Sequence, residues 1–269
     1  MMIRKTLVFL TFTTSLVFGL TDWNDLRVTW GIDPSNPQFF APLPLTELLA
    51  IQGGWTKEND CSKINGIRYI KDNDRSVMII YGIDGSVAGL STVIPKNLPF
   101  NFPSNAIKPY LVDEGDFYTL NAYFRDPSTV CSNVRLNTGD RLIVKGSLAE
   151  FNIPLTEIET NIENKWTKGK CFNTMGQHYW RNVNGNPLVL ETNKDEFFPM
   201  FLLFNKGRLN GFGFALNTNL ESPRYEHPTV GVINLFMNPV PSFFSDLNQS
   251  NGLTTLHVYF ESTPFANFC

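Results

Sequence analysis

From Ser76 to Ile94 the chain reads SVMIIYGIDGSVAGLSTVI, two apolar runs about a tight turn at Asp84-Gly85. From Phe198 to Leu216 it reads FPMFLLFNKGRLNGFGFAL, two apolar runs about Lys206-Gly207. Each predicts a β-hairpin, with glycine in the turn because the turn demands positive φ. A second glycine, Gly89 or Gly211, recurs four positions on, and inside a strand it predicts a bulge or a close backbone approach. Short strands are predicted before each hairpin, in GIRYIKD (66–72) and GQHYWRN (176–182), and after it, in YTLNAYF (118–124) and TTLHVYF (254–260).

The same order of patterns therefore occurs twice, and identities fix the register. PLTELLAIQGGWTKENDC (44–61) and PLTEIETNIENKWTKGKC (154–171) lie 110 positions apart from proline to proline and from cysteine to cysteine. Thr46-Glu47 and Thr156-Glu157 predict a capped start for one short helix in each copy. Alternating lead-ins, DLRVTWG from Asp25 and DRLIVKG from Asp140, predict a first strand before each helix. The expected fold is α+β and β-rich: two tandem copies of a β-α-β-β-β-β module with mostly antiparallel sheets packed against each other. The modules are expected over 20–133 and 134–269.

Residues 1–19 read as a secretory signal peptide, with Arg4 and Lys5 ahead of an apolar run ending near Phe18. No later run reaches the length of a membrane span, so no transmembrane segment is expected. Four cysteines in an exported chain predict two disulfides. Three pairings are possible. Closure within each copy, Cys61–Cys131 and Cys171–Cys269, is favoured, and Cys61–Cys269 with Cys131–Cys171 stays open. Asn248-Gln249-Ser250 is a glycosylation sequon, expected at the surface. The net charge of −3 carries no message about nucleic acid, so none is expected as a partner. Localisation is expected to be extracellular.

Comparing the copies singles out positions without any other sequence. All three histidines lie in the second copy: His178 opposite Arg68, His227 opposite Lys108 and His257 opposite Asn121. Imidazoles from three elements could converge as a metal site, with Met175 or Glu226 near enough to add a ligand. In an enzyme, the same histidines and Tyr179 would be the catalytic candidates. Trp180, matched by Ile70, is a candidate contact residue. Long loops rich in proline and phenylalanine place Phe100, Phe102, Phe236, Phe243 and Phe244 where they either cap the sheet or line an apolar site. Trp55 and Trp166 recur at equivalent places and read as core.

No GxSxG elbow or phosphate loop is present, and the residues name no particular cofactor. Asp72-Asn73-Asp74 reads as a polar turn, and Asp113, Glu114 and Asp116 as a solvated loop. The expected function is a secreted, disulfide-stabilised binding or interaction protein. Its aromatic and Pro-rich loops would meet a small apolar molecule or an extracellular protein. The alternative is a secreted enzyme with a histidine-based, metal-dependent site in the second module or between modules.

Overall fold

The structure, a computed structural model, describes residues 25–33, 35–61, 66–98, 102–132, 141–154, 158–163, 165–245 and 252–269. The expected signal peptide, Phe100, Asn248 and the Thr156 cap lie outside the described residues. An N-terminal hairpin of β1 (Arg27–Thr29) and β2 (Phe40–Pro42) leads to α1 (Glu47–Gln52). Thr46 caps α1 by accepting a hydrogen bond from the Leu49 amide, and the helix stops at Gly53. Then come β3 (Trp55–Lys57), β4 (Ile67–Lys71), β5 (Asp74–Tyr81), β6 (Val87–Pro95), the short β7 (Val112–Asp113) and β8 (Phe117–Tyr123). The chain continues with β9 (Arg141–Lys145), β10 (Glu150–Pro154), the one-turn α2 (Glu159–Ile162), β11 (Thr167–Phe172) and β12 (Gly176–Trp180). It ends with β13 (Met200–Asn205), β14 (Arg208–Leu216), α3 (Val230–Phe236) and β15 (Thr254–Tyr259).

The protein is β-rich, with two antiparallel sheets and few helices. The first runs β10-β9-β8-β6-β5-β4-β3 with β7 beside β8, and the second runs β11-β12-β13-β14-β15-β1-β2. The N-terminal hairpin therefore does not join the strands that follow it. It sits in the second sheet, with Val28 opposite Val258 of the last strand. In the first sheet the corresponding edge is supplied by β9 and β10, which simply continue the chain.

Strand alternation distributes the core. On β12, β13 and β15, Tyr179, Leu202, Phe204, Leu256 and Val258 face a cluster shared with Tyr69, Val77, Ile79, Tyr81 and Leu120 of the first sheet. The intervening residues Trp180, Phe201, Leu203 and Tyr259 face the opposite way. They pack against Ile233, Phe236, Met237 and Phe244, which lie on or after α3. Both faces of these strands are thus buried, which explains their near-continuous apolar runs. Trp55 and Trp166 are core residues.

Gly89 and Gly211 meet the expectation of a close approach. A Cβ on Gly89 would lie 2.5 Å from the Ala122 carbonyl oxygen, and one on Gly211 would lie 2.4 Å from that of Val258. Each sits beside a register shift in its hairpin. The disulfides are Cys61–Cys131 and Cys171–Cys269, the pairing within each half of the sequence. They close separations of 70 and 98 residues, and in the chain-entropy model each contributes about 4–5 kcal/mol. No described helix is long and apolar enough to cross a membrane.

Candidate functional site

Two of the three histidines come together. His178, second strand in the sheet order, and His257, fifth, approach Nε2 to Nε2 at 3.3 Å. His178 Nδ1 lies 3.1 Å from the Gly176 carbonyl oxygen, and His257 Nδ1 lies 2.6 Å from Glu226 Oε2. That carboxylate oxygen also accepts from the Thr255 hydroxyl at 2.8 Å. Glu226 is held in place by a two-bond backbone bridge to Thr255. His227 is exposed and takes no part.

The cluster is sealed. His178 is fully buried, His257 is 4% exposed and Glu226 5%. Trp180, Phe201 and Phe236 stack about the His178 ring with centroids 5.2–6.0 Å away. Burial, then the neighbouring His257, push the His178 imidazole well below its usual range. Burial alone would raise the Glu226 carboxyl, but the charge and hydrogen bond of His257 override it and hold it below the ordinary value. Burial pushes the Tyr259 phenol, stacked on His257, well above its usual value.

The first sheet holds a different solution at the same strand positions. Arg68 on β4 donates to both Glu114 oxygens at 2.7 and 2.8 Å, to Thr119 at 3.2 Å and to Asn121 on β8 at 3.1 Å. The Thr119 hydroxyl donates to Glu114 as that of Thr255 does to Glu226. Glu114 is therefore not the solvated loop residue expected from its acidic neighbours, because a buried guanidinium draws its carboxylate inward.

No described group of three or more His, Cys, Asp or Glu residues could hold a metal ion. Tyr179 faces the other side of its strand and donates to Glu159 at 2.6 Å. Met175 is half-buried at the edge of the outer cluster. Trp180, Phe236 and Phe244 are packed in that cluster, Phe243 lies partly buried against it, and Phe102 belongs to the core shared by the two sheets. These aromatics close over the sheet.

An open concavity lies elsewhere. A groove of about 1270 Å³ runs between one end of the first sheet and the 219–225 segment. Asn73, Asp74, Arg75 and Ser76 form one wall, Pro95 to Leu98 with Asp116 and Phe117 a second, and Asn219 to Pro223 with Tyr225 a third. The walls are cross-linked: Ser222 donates to Asp74 at 2.7 Å, and Tyr225 and Thr92 hydroxyls meet at 2.6 Å. Arg224 donates to Asp72 at 2.9 Å and to the Lys71 carbonyl at 3.0 Å. Arg75 pairs with Glu58 and lies over the Phe117 ring, while Lys96 reaches Asp113 at 2.6 Å. Ser76 is 2% exposed, and its Oγ has no hydrogen-bond partner. No local pattern in the chain points to this groove, because residues that meet across it, such as Asp74 and Ser222, are 148 positions apart.

Comparison of the chain with protein-family models, curated proteins and solved structures returns no match.

Proposed function

We propose that this chain is an exported binding protein, a fused pair of one β-rich module, whose ligand lies in the groove between the first sheet and the 219–225 segment. The groove itself, walled by amide, carboxylate and aromatic side chains, carries the reading. The disulfides support export, because such bonds persist in oxidising compartments.

The lining selects the ligand class. Three carboxylates (Asp74, Asp116 and Glu221) oppose anions, and the two cations, Arg75 and Lys96, already have acidic partners. A purely apolar ligand would strip water from five charged side chains. Amides of Asn73, Asn97 and Asn219 both donate and accept, and Phe117 and Leu98 add apolar surface. That mixture fits a neutral, hydroxyl-rich ligand of the carbohydrate kind. Among the described residues, Phe102, Phe236, Phe243, Phe244 and Trp180 are taken up in packing, and the imidazoles of His178 and His257 are sealed from solvent, so binding is preferred to catalysis.

Saturation-transfer NMR against neutral oligosaccharides tests the proposal. Binding is expected, and both Phe117→Ala and Asn97→Ala should weaken it at least fivefold. The reading fails if no sugar binds, if these substitutions leave binding unchanged, or if only a fluorescent fatty acid or a protein partner occupies the groove.

A further inference from the structure

The buried imidazole pair poses a problem of proton count. The Gly176 carbonyl oxygen can only accept, so His178 Nδ1 carries a hydrogen. A second hydrogen lies between His257 Nδ1 and Glu226 Oε2, whichever of the two atoms holds it. If nothing else were bound, two lone pairs would confront each other across the 3.3 Å between the Nε2 atoms. Something positive must lie there. Two nitrogen donors are too few for a tetrahedral metal ion, and 3.3 Å is too short for a cation held linearly between bonds of about 2.0 Å.

We propose that Glu226, His257 and His178 retain one shared proton, which makes the trio neutral overall and latches the outer cover, α3 with the 226–229 segment that leads into it, onto the second sheet. The trio does with a titratable proton what Arg68 does for Glu114 with a permanent charge. Both halves of the cover meet it: Phe236 of α3 stacks on His178, and Glu226 binds His257.

The other groups around the trio are few. Tyr259 stacks on His257 from the same strand, with Glu261 beyond it. The Lys170 ammonium on β11 points away, donating to the Asn234 carbonyl at 2.7 Å. Thr29 of β1 accepts from the His257 amide. From α3, β13 and β14 the facing residues are apolar: Ile233, Phe236, Phe201 and Ala215.

A closed trio with one shared proton opens into two ordinary imidazoles. Above about pH 7.5 the opened pair holds almost no proton, and below about pH 5.5 it holds nearly two. Cover opening should therefore be least near pH 6.5, rise about threefold over the first pH unit on either side and approach about tenfold per unit beyond it. Amide hydrogen exchange at Thr255, Glu226 and Ile233, corrected for intrinsic rates, reads this directly. Thr119 beside the Arg68 network serves as control.

A V-shaped profile at the first three amides with a flat one at Thr119 is the expected result. His257→Gln should abolish the V, and if that variant does not fold, the wild-type profile still decides. Flat or one-sided profiles at all sites, or stoichiometric zinc or copper in the purified protein, would overturn the shared proton.

Discussion

The Arg68 network permits a quantitative test of how the first sheet holds its buried charge. Arg68 is 2% exposed and makes four hydrogen bonds, two of them to Glu114. Arg68→Met keeps much of the side chain's length and apolar stem but removes every donor, leaving the Glu114 carboxylate with the Thr119 hydroxyl alone. Breaking a buried pair from one side costs about 3–5 kcal/mol. The Glu114 side chain is 20% exposed, so water recovers part of that, and about 3 kcal/mol is expected. Adding Glu114→Gln removes the orphaned charge and keeps an acceptor for the Thr119 hydroxyl. The double variant should regain about 1–2 kcal/mol over Arg68→Met alone. Urea unfolding with an unchanged m-value measures each step. If the double variant is no more stable than Arg68→Met, the cost does not come from an uncompensated carboxylate, and the reasoning fails.

Gly89→Ala and Gly211→Ala each drive a Cβ into a backbone carbonyl at the centre of a sheet. Each should cost more than about 2 kcal/mol in a urea titration, whereas Gly54→Ala, with no atom within 4 Å but φ at +80°, should cost about 1 kcal/mol. Residues 20–133 and 134–269 made as separate chains should each be aggregation-prone, and sedimentation should show a monomer only when both are refolded together.

The parts of the fold legible in the sequence were those written in short-range pattern. Hairpin turns at Gly85 and Gly207, the Thr46 cap and the alternation of β15 all follow from neighbours a few residues apart. The His178 and His257 positions were legible for another reason: their counterparts Arg68 and Asn121 are also buried and polar, so the contrast between halves marked a buried polar cluster. His227 takes no part because its side chain is exposed between the buried Glu226 and Pro228. α3 was missed among prolines, although Thr229 followed by Ile233 and Phe236 gives its cap and buried face. Glu114 was misjudged because its partner is 46 positions away, and no local periodicity encodes such a pair.

The placement of the N-terminal hairpin explains why the sequence halves need each other. Both sheets have the same seven-strand path, but they complete it differently. The first sheet gains its last two strands by running on into β9 and β10, which belong to the second half of the sequence. The second sheet reaches the C-terminal strand β15 and can only be completed by β1 and β2, from the first half. Divided at residue 133, each half would leave a long central strand exposed along one edge: β15 beyond Thr255, which Glu226 bridges, and β8 beyond the two residues that β7 covers. An exposed edge of that length invites intermolecular pairing. Neither disulfide crosses between the halves, so the coupling rests on strand pairing and on the core the sheets share. Unfolding should therefore be a single transition even though each half carries its own crosslink.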